Sequence, residues 1–337
     1  MIDNERFARQ ERLPQVGLDG QKLFEKATVA IVGVGALGCV SAEWLCRAGI
    51  GKLVLIDRDI VSLSNLHRQC LFDLNDASKR NPKSTAAKSR LTAINQTCKV
   101  EAHTVDLGVH NINQLLGTAD VIVDGSDNFF TRYLLNDYSV KNKIDYVYAG
   151  AVATYGMVAL LQSSKACLRC IFPEPPASAQ TPTCASAGVL GPAIGVIGSL
   201  SATLAMQSVL QADLPQQFVN IELWPYSSQA ISATKDPNCP CCAKKEFEWL
   251  SGQRTQPLAK INCDKTEVHF HGSGPIDLCE LAEKYSGSLN KLQSSEVCLS
   301  YHFDECEVFV FNDRSIRVFG CDSIERATNI IANTIGL

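Results

Sequence analysis

Apolar positions in this chain recur in two rhythms, and the alternation between them predicts the architecture. Short runs rich in β-branched residues at Thr28–Val32, Leu53–Ile56, Val100–Val105, Ala119–Val123 and Tyr146–Tyr148 read as strands, the continuous ones as buried parallel strands. Between them, Cys39–Ala48, Lys83–Asn95, Asn111–Leu116 and Asn128–Lys141 space their apolar residues as helices do. Strand and helix in turn predict an α/β chain with a Rossmann-like nucleotide-binding fold and a mostly parallel sheet. A turn from Ala149 to Ala151 leads to a further apolar run, Met157–Leu161. The rhythm changes after Cys242. Lys244–Gln256 is polar and reads as a linker, and Ile261–Leu337 reads as a small α+β module. Within that module the strands are expected at Val268–His271, Glu296–Phe303, Glu307–Phe311 and Ile316–Phe319, with helices at Asp277–Lys284 and Ser323–Ile335. The expected division is therefore a domain over 1–245, a linker over 246–260 and a small domain over 261–337.

Bulk properties narrow the function classes. At 337 residues with 46% hydrophobic and 20% charged content, the chain is an ordinary globular one, long enough for a large domain and a small one. A net charge of −4 without a clustered Lys/Arg stripe offers no field for nucleic acid. The first residues, MIDNERFARQERLP, are charged and lack the apolar centre of a signal peptide. The expected location is therefore cytoplasmic, where most of the 15 cysteines would be reduced and paired C-x-x-C spacings read as metal sites. Gly188–Met206 is long enough to cross a bilayer, but Pro192, four glycines and several hydroxyl residues make it a buried loop and helix instead.

The candidate chemistry begins at Gly33-Val34-Gly35-Ala36-Leu37-Gly38, between a strand and a helix. Gly33 permits a tight turn, Gly35 lets backbone N–H groups approach a phosphate, and Gly38 lets helix and strand pack closely. The helix start then offers unpaired donors to an anion. Asp57, ending the next strand, is placed to accept hydrogen bonds from a ribose. This much fits ATP and NAD equally. After Asp57 the chain enters a polar loop through Asp59 that brings Asn65, Arg68 and Gln69 beside the turn, where a dehydrogenase would usually start another crossover helix. Farther on, Cys167-Leu168-Arg169-Cys170 and Cys239-Pro240-Cys241-Cys242 supply two C-x-x-C pairs. Cys167, Cys170, Cys239 and Cys242 would hold a structural Zn²⁺ across a gap of roughly seventy residues, with Cys241 a spectator. His269 and His271 share a strand face without a third ligand nearby and read as surface residues.

The segment DRDIVSLSNLHRQ following GVGALG resembles the ThiF/MoeB/HesA family of enzymes that adenylate ubiquitin-like proteins. Other signatures recur in order. Arg6-Phe7-Ala8-Arg9-Gln10 is similar to the family's RYxRQ segment, whose second arginine, here Arg9, reaches the nucleotide's terminal phosphates across a dimer. Asn81-Pro82-Lys83 is similar to its G-x-K element, with Asn81 where glycine is usual and Lys83 as the phosphate-neutralising lysine. Asp124-Gly125-Ser126-Asp127-Asn128 resembles D-x-x-D-N, which implies Asp127 near Mg²⁺-bound phosphates; Ser126 or Asp127 could also cap the helix that follows. Thr183-Cys184 opens a segment similar to TCxxAGVLGP, which places Cys184 before a long helix at roughly Ala193–Gln211 and allows it a thioester or acyl-disulfide role. The tail resembles, more weakly, a domain appended to some bacterial members linked to thiazole synthesis, and reads as a module for docking a partner or supporting a dimer.

The resemblance implies a homodimer that transfers AMP from ATP to the C-terminal carboxylate of a β-grasp sulfur carrier ending in Gly-Gly, releasing pyrophosphate. The acyl-adenylate would then accept sulfur from a donor such as a cysteine desulfurase or rhodanese. Thiamin-thiazole synthesis is the implied pathway, with molybdopterin synthase or tRNA thiolation carriers as alternatives. The substrate carries its own nucleophile, so Arg9, Asn65, Arg68, Gln69, Lys83 and Asp127 would serve positioning and charge neutralisation. An NAD-dependent oxidoreductase and a silent binding scaffold are the competing classes.

Overall fold

The computed structural model describes residues 3–176, 187–261, 266–272 and 274–336. They form two units. One comprises Met1–His103 and Leu107–Thr255, the other Thr104–Asp106 and Gln256–Leu337. Cys184 lies outside the described residues.

The first unit is built on an eight-stranded sheet. Its strands are β1 (Thr28–Val32), β2 (Lys52–Ile56), β3 (Lys99–His103), β4 (Val121–Asp124), β5 (Asp145–Val152), β6 (Tyr155–Leu161), β7 (Gln217–Leu223) and β8 (Tyr226–Ser232), in the order β3-β2-β1-β4-β5-β6-β7-β8. The first five pair in parallel and the last three antiparallel. Val29, Ala30 and Ile31 are wholly buried, because both sheet faces are covered there; that is why β1 is a continuous apolar run. The hairpin of β7 and β8 departs from the expected pattern. β8 is exposed along its whole length and alternates nothing, so it left no period for a sequence reading to find.

The long apolar helix, Gly191–Val209, has the length and hydropathy to cross a membrane. Here it lies in the core of the first unit, with Ile194, Ile197, Ala202 and Ala205 buried. A Cβ on Gly198 would stand 2.6 Å from that of Val40, on the helix Ala36–Ala48. Ser41 Oγ donates to the Gly198 carbonyl at 3.0 Å across the same crossing. Small residues thus let two helix backbones approach closely. Pro192 sits in the first turn, where its missing N–H costs nothing.

The expected linker is packed in its first half. Trp249 and Leu250 are buried, and the Trp249 ring meets Phe130 and Tyr133 at centroid distances of 5.6 and 5.1 Å. Its backbone N–H donates to Asp137 Oδ2 at 3.0 Å. Polar flanks concealed this aromatic anchor, and the first unit runs to Thr255.

The second unit is a six-stranded antiparallel sheet of β9 (Ala259–Ile261), β10 (Glu267–Phe270), β11 (Asn290–Ser294), β12 (Cys298–Phe303), β13 (Cys306–Phe311) and β14 (Ile316–Phe319), ordered β11-β12-β13-β14-β10-β9. Helices Leu278–Tyr285 and Ile324–Thr334 bury Leu281, Ile330 and Ile331 with Val268, Leu299, Val308 and Val318. Asp277 caps the first and Ser323 the second, Ser323 Oγ accepting from Arg326 N at 3.2 Å. The edge strands β9 and β11 are short or polar and were not expected. His269 is buried, contrary to its reading as a surface residue.

Candidate functional site

Two turns interlock where the strand order reverses between β1 and β4. Gly33 takes φ +87°, and a Cβ there would lie 2.7 Å from the Gly125 carbonyl. A Cβ on Gly38 would come within 1.9 Å of the Gly33 oxygen, so only glycine allows the helix Ala36–Ala48 to start this close to the strand. Gly35 is different in kind. The nearest atom to a Cβ at Gly35 is Gln69 Nε2 at 4.0 Å, which leaves that side of the turn roomy. Gly35 is the N-cap and gives no side-chain cap, so the first-turn N–H groups at Ala36 and Leu37 retain the donor character that suits an anion.

Asp57 ties the turn to the following loop. Its Oδ2 accepts from Val34 N and its Oδ1 from Asp59 N, both at 2.6 Å. Burial pushes its carboxyl up to about 6, against the pull of Lys83 and with a push from Asp59. Each carboxylate oxygen keeps a second lone pair, so bracing the turn and meeting a ribose are compatible. Lys83 is buried, with Nζ 2.9 Å from Asp59 Oδ2 and its backbone N–H on the Asp59 carbonyl at 2.8 Å. The positive φ of this loop falls on Arg80, at +50°, one residue before the expected position. Asn81 instead donates through Nδ2 to Asp76 Oδ1 at 2.8 Å, which explains how the element tolerates an asparagine.

Within the polar loop, Asn65 Oδ1 accepts from Ser62 N at 3.1 Å, closing a single turn at Leu63–Asn65. Arg68 donates to the Ser64 carbonyl at 2.9 Å and is only half-buried. Gln69 is buried beside the glycine turn, and its Oε1 has no hydrogen-bond partner among the described residues. A buried acceptor left unpaired costs about 1–3 kcal/mol, and ligands or water commonly relieve it.

After β4, Asp124 is fully enclosed. Its Oδ1 accepts from Ser126 N and Oγ at 2.8 and 2.6 Å, and its Oδ2 from the Tyr146 hydroxyl at 2.5 Å. Burial raises its carboxyl, opposed chiefly by the Arg132 guanidinium. Arg132 also donates to the Ser126 and Ala149 carbonyls at 3.1 and 3.2 Å. Tyr146 and Arg132 therefore hold this turn in shape, and the sequence reading missed both. Nothing in spacing singles out an arginine inside a helix pattern. Neither Ser126 nor Asp127 caps the helix Phe129–Asn142; Asn128 does, accepting from Thr131 N at 2.8 Å. Asp127 is exposed and takes no part in the cap.

The structure thus gathers the glycine turn, Asp57, Asp59, Lys83 and Gln69, with Asn65 and Arg68 on the same loop. Arg9 is exposed on the short helix Ala8–Glu11, and among the described residues no hydrogen bond or ion pair joins it to them. Its neighbours are anchored. Gln10 donates to Gln21 Oε1 and the Ala48 carbonyl, while Arg6 donates to the Ile94 carbonyl.

The four predicted thiols converge. Cys167 Sγ lies 4.0 Å from Cys170 and 3.6 Å from Cys239, and Cys170 Sγ lies 3.3 Å from Cys242. All four sulfurs fall within 4.8 Å of one another, a donor set that fits tetrahedral zinc. Burial and the Cys170 contact push the Cys242 thiol up to about 12, as befits crowded thiols that a cation would turn into thiolates. Cys241 is not one of the four: its Sγ accepts from Asn136 Nδ2 at 3.3 Å, and Asp137 and Cys167 also contact it.

Comparison with known proteins agrees with this geometry. Residues 7–241 match the model of the ThiF family. The chain is 33% identical over 336 residues to the sulfur carrier protein ThiS adenylyltransferase of Bacillus subtilis, covering 98% of this chain and 99% of that one. It is 37% identical over 246 residues to the sulfur carrier protein adenylyltransferase of Thermus thermophilus, covering 71% and 90%. Among solved structures, E. coli MccB crystallised with succinimide superposes with a TM-score of 0.61 at 21% identity, covering 70% of this chain and 74% of that one, a likeness of fold. With the interlocked glycine turns, the buried lysine after the polar loop and three of the four clustered thiols inside the matched span, the chain belongs to the ThiF family.

Proposed function

We propose that this chain adenylates the C-terminal Gly-Gly carboxylate of a ubiquitin-like sulfur carrier, consuming ATP and releasing pyrophosphate. The observation that carries the reading is the turn itself, an anion cradle whose roomy side at Gly35 faces the amide donor Gln69 Nε2. The relative from Bacillus subtilis, similar along nearly its whole length, favours a ThiS-like carrier and thiamin-thiazole synthesis.

In this reading the first-turn N–H groups from Ala36 receive phosphate, Asp57 meets the ribose, and Lys83 and Arg68 offset charge on the leaving pyrophosphate. Asn65 and Gln69 orient the phosphate chain. Asp127 would hold Mg²⁺ together with the phosphates, and that ion would supply charge neutralisation. The carrier's carboxylate attacks the α-phosphorus, the bond to the bridging oxygen of pyrophosphate breaks, and an acyl-adenylate forms. No protein base is required, because the nucleophile arrives ionised. Arg9 of a second copy would complete the site in a homodimer, and Cys184 remains a candidate for a later thioester or acyl-disulfide. Zn²⁺ on the four thiols would be structural, since the closed shell leaves no open position. A cytoplasmic enzyme drawing sulfur from a desulfurase or rhodanese completes the picture.

The test is pyrophosphate–ATP exchange. It should need a carrier ending in Gly-Gly and should vanish in Asp127→Ala while Cys184→Ala retains it. Exchange that ignores the carrier, or that survives Asp127→Ala, would remove this mechanism.

A further inference from the structure

The second unit holds a cluster that the adenylation chemistry does not use. Val268 and Phe270 on β10 face that unit's core, so strand alternation sends His269 and His271 to the opposite side. His269 is nonetheless buried and His271 half-buried, and their rings meet edge to face with centroids 4.6 Å apart. The third member comes from far along the chain. Asp106 belongs to the same unit through the short segment Thr104–Asp106, is itself buried, and is hydrogen-bonded through Oδ2 to His271 Nδ1.

The surrounding backbone holds these groups in place. Asp106 N donates to Asp313 Oδ2 at 2.6 Å, and Asp313 Oδ1 accepts from Ser315 N and Oγ at 2.9 and 2.6 Å. Gly272, next to His271, lies so close that a Cβ would fall 2.6 Å from the Asp313 carbonyl oxygen. The carboxylate and one imidazole are thus both positioned against Asp313. One ligand atom from each of Asp106, His269 and His271 lies within 4.8 Å of the others.

We propose that Asp106, His269 and His271 form a second metal site that takes a first-row divalent cation of the zinc class. Two imidazoles and a carboxylate are borderline donors, suited to Zn²⁺, Co²⁺ or Fe²⁺ rather than to Mg²⁺ or Ca²⁺. Three protein ligands leave a coordination position for water or an incoming group, unlike the four-thiol site. A simple ion pair pinning Thr104–Asp106 to β10 is the competing explanation. It engages only Asp106 and His271, whereas the metal site also engages the second imidazole, which lies at ligand distance.

Full-length protein stripped with chelator and titrated with Co²⁺ separates the two sites. One equivalent should bring the thiolate-to-metal charge-transfer band of the four-cysteine site. A further equivalent should add ligand-field absorption without that band. Elemental analysis after Zn²⁺ loading should give metal for both groups in the parent chain. Asp106→Asn, His269→Gln and His271→Asn should each weaken the second equivalent about 100-fold or more and leave the thiolate band intact. The retained band also reports that the variant is folded. Titration of the parent chain that saturates after the thiolate site alone would overturn the proposal, as would a second equivalent that survives all three substitutions.

Discussion

The glycine turn and the four-thiol cluster occupy the same unit but are built by opposite means. The turn is made by removing side chains. Gly33, Gly38 and Gly125 let backbone oxygens and neighbouring segments approach to distances that any Cβ would forbid. The cluster is made by adding side chains, bringing sulfurs from residues 167–170 and 239–242 into one group. The turn should therefore be rigid without any ligand, whereas the cluster should gain order from a bound cation, because crowded thiols gain little from each other until one binds.

The severest test of that contrast is Gly38→Ala. A methyl group 1.9 Å from the Gly33 oxygen has no flexible neighbour to push aside, so the helix start must move. A loss of about 4 kcal/mol or more is expected, together with loss of nucleotide binding, read by denaturant unfolding and by ATP-induced stabilisation. A mild effect would mean that the two turns are not interlocked.

Cys239→Ser should come next. Metal content at the thiol cluster should fall and stability should drop by about 3 kcal/mol, measured by elemental analysis and unfolding. That is well short of the ~10–16 kcal/mol by which zinc organises isolated fingers, because the first unit has its own core. Stripping the metal from the parent chain should reproduce the loss; full stability after stripping would make the cluster a group of ordinary buried thiols.

Asp57→Asn sharpens the other side. The folded carboxyl titrates at about 6 against 3.8 for the free group, so between those values the folded state keeps a proton that the unfolded state has lost. Stability from this group is fully present below pH 3.8, declines as pH rises towards 6 and is flat beyond. Replacing the carboxyl by an amide should flatten that slope in melting temperature measured across the window. It should also cost about 1–3 kcal/mol, because an amide cannot accept from both Val34 N and Asp59 N. An unchanged slope would show that the bracing carboxylate is not the titrating group. The smallest effect belongs to Cys241→Ala, which should leave metal content unchanged and cost on the order of 1 kcal/mol from the lost Asn136 and Asp137 contacts.

What could be read from residues alone follows the same division. The turn was legible because its glycines, its flanking strand and its acid are neighbours in sequence. The thiols were legible because each half carries its own spacing. Arg132 and Tyr146 were not, since their roles arise only when β4, β5 and the helix between them meet; the cap at Asn128 is local, but Ser126 and Asp127 beside it are equally good capping types. The β7–β8 hairpin was hidden by an exposed strand without alternation. Asp106 illustrates the limit most clearly: its partner His271 is 165 positions away, and no local pattern connects them.

The passage of Thr104–Asp106 through the second unit has a practical corollary for anyone who dissects this chain. A fragment cut at Gln256 and expressed separately would lack the amide that satisfies Asp313, while the remaining piece would carry three residues with nothing to pack on. Autonomous production of either half calls for a redesigned crossing between His103 and Leu107, because the boundary in space is not a single boundary in the gene.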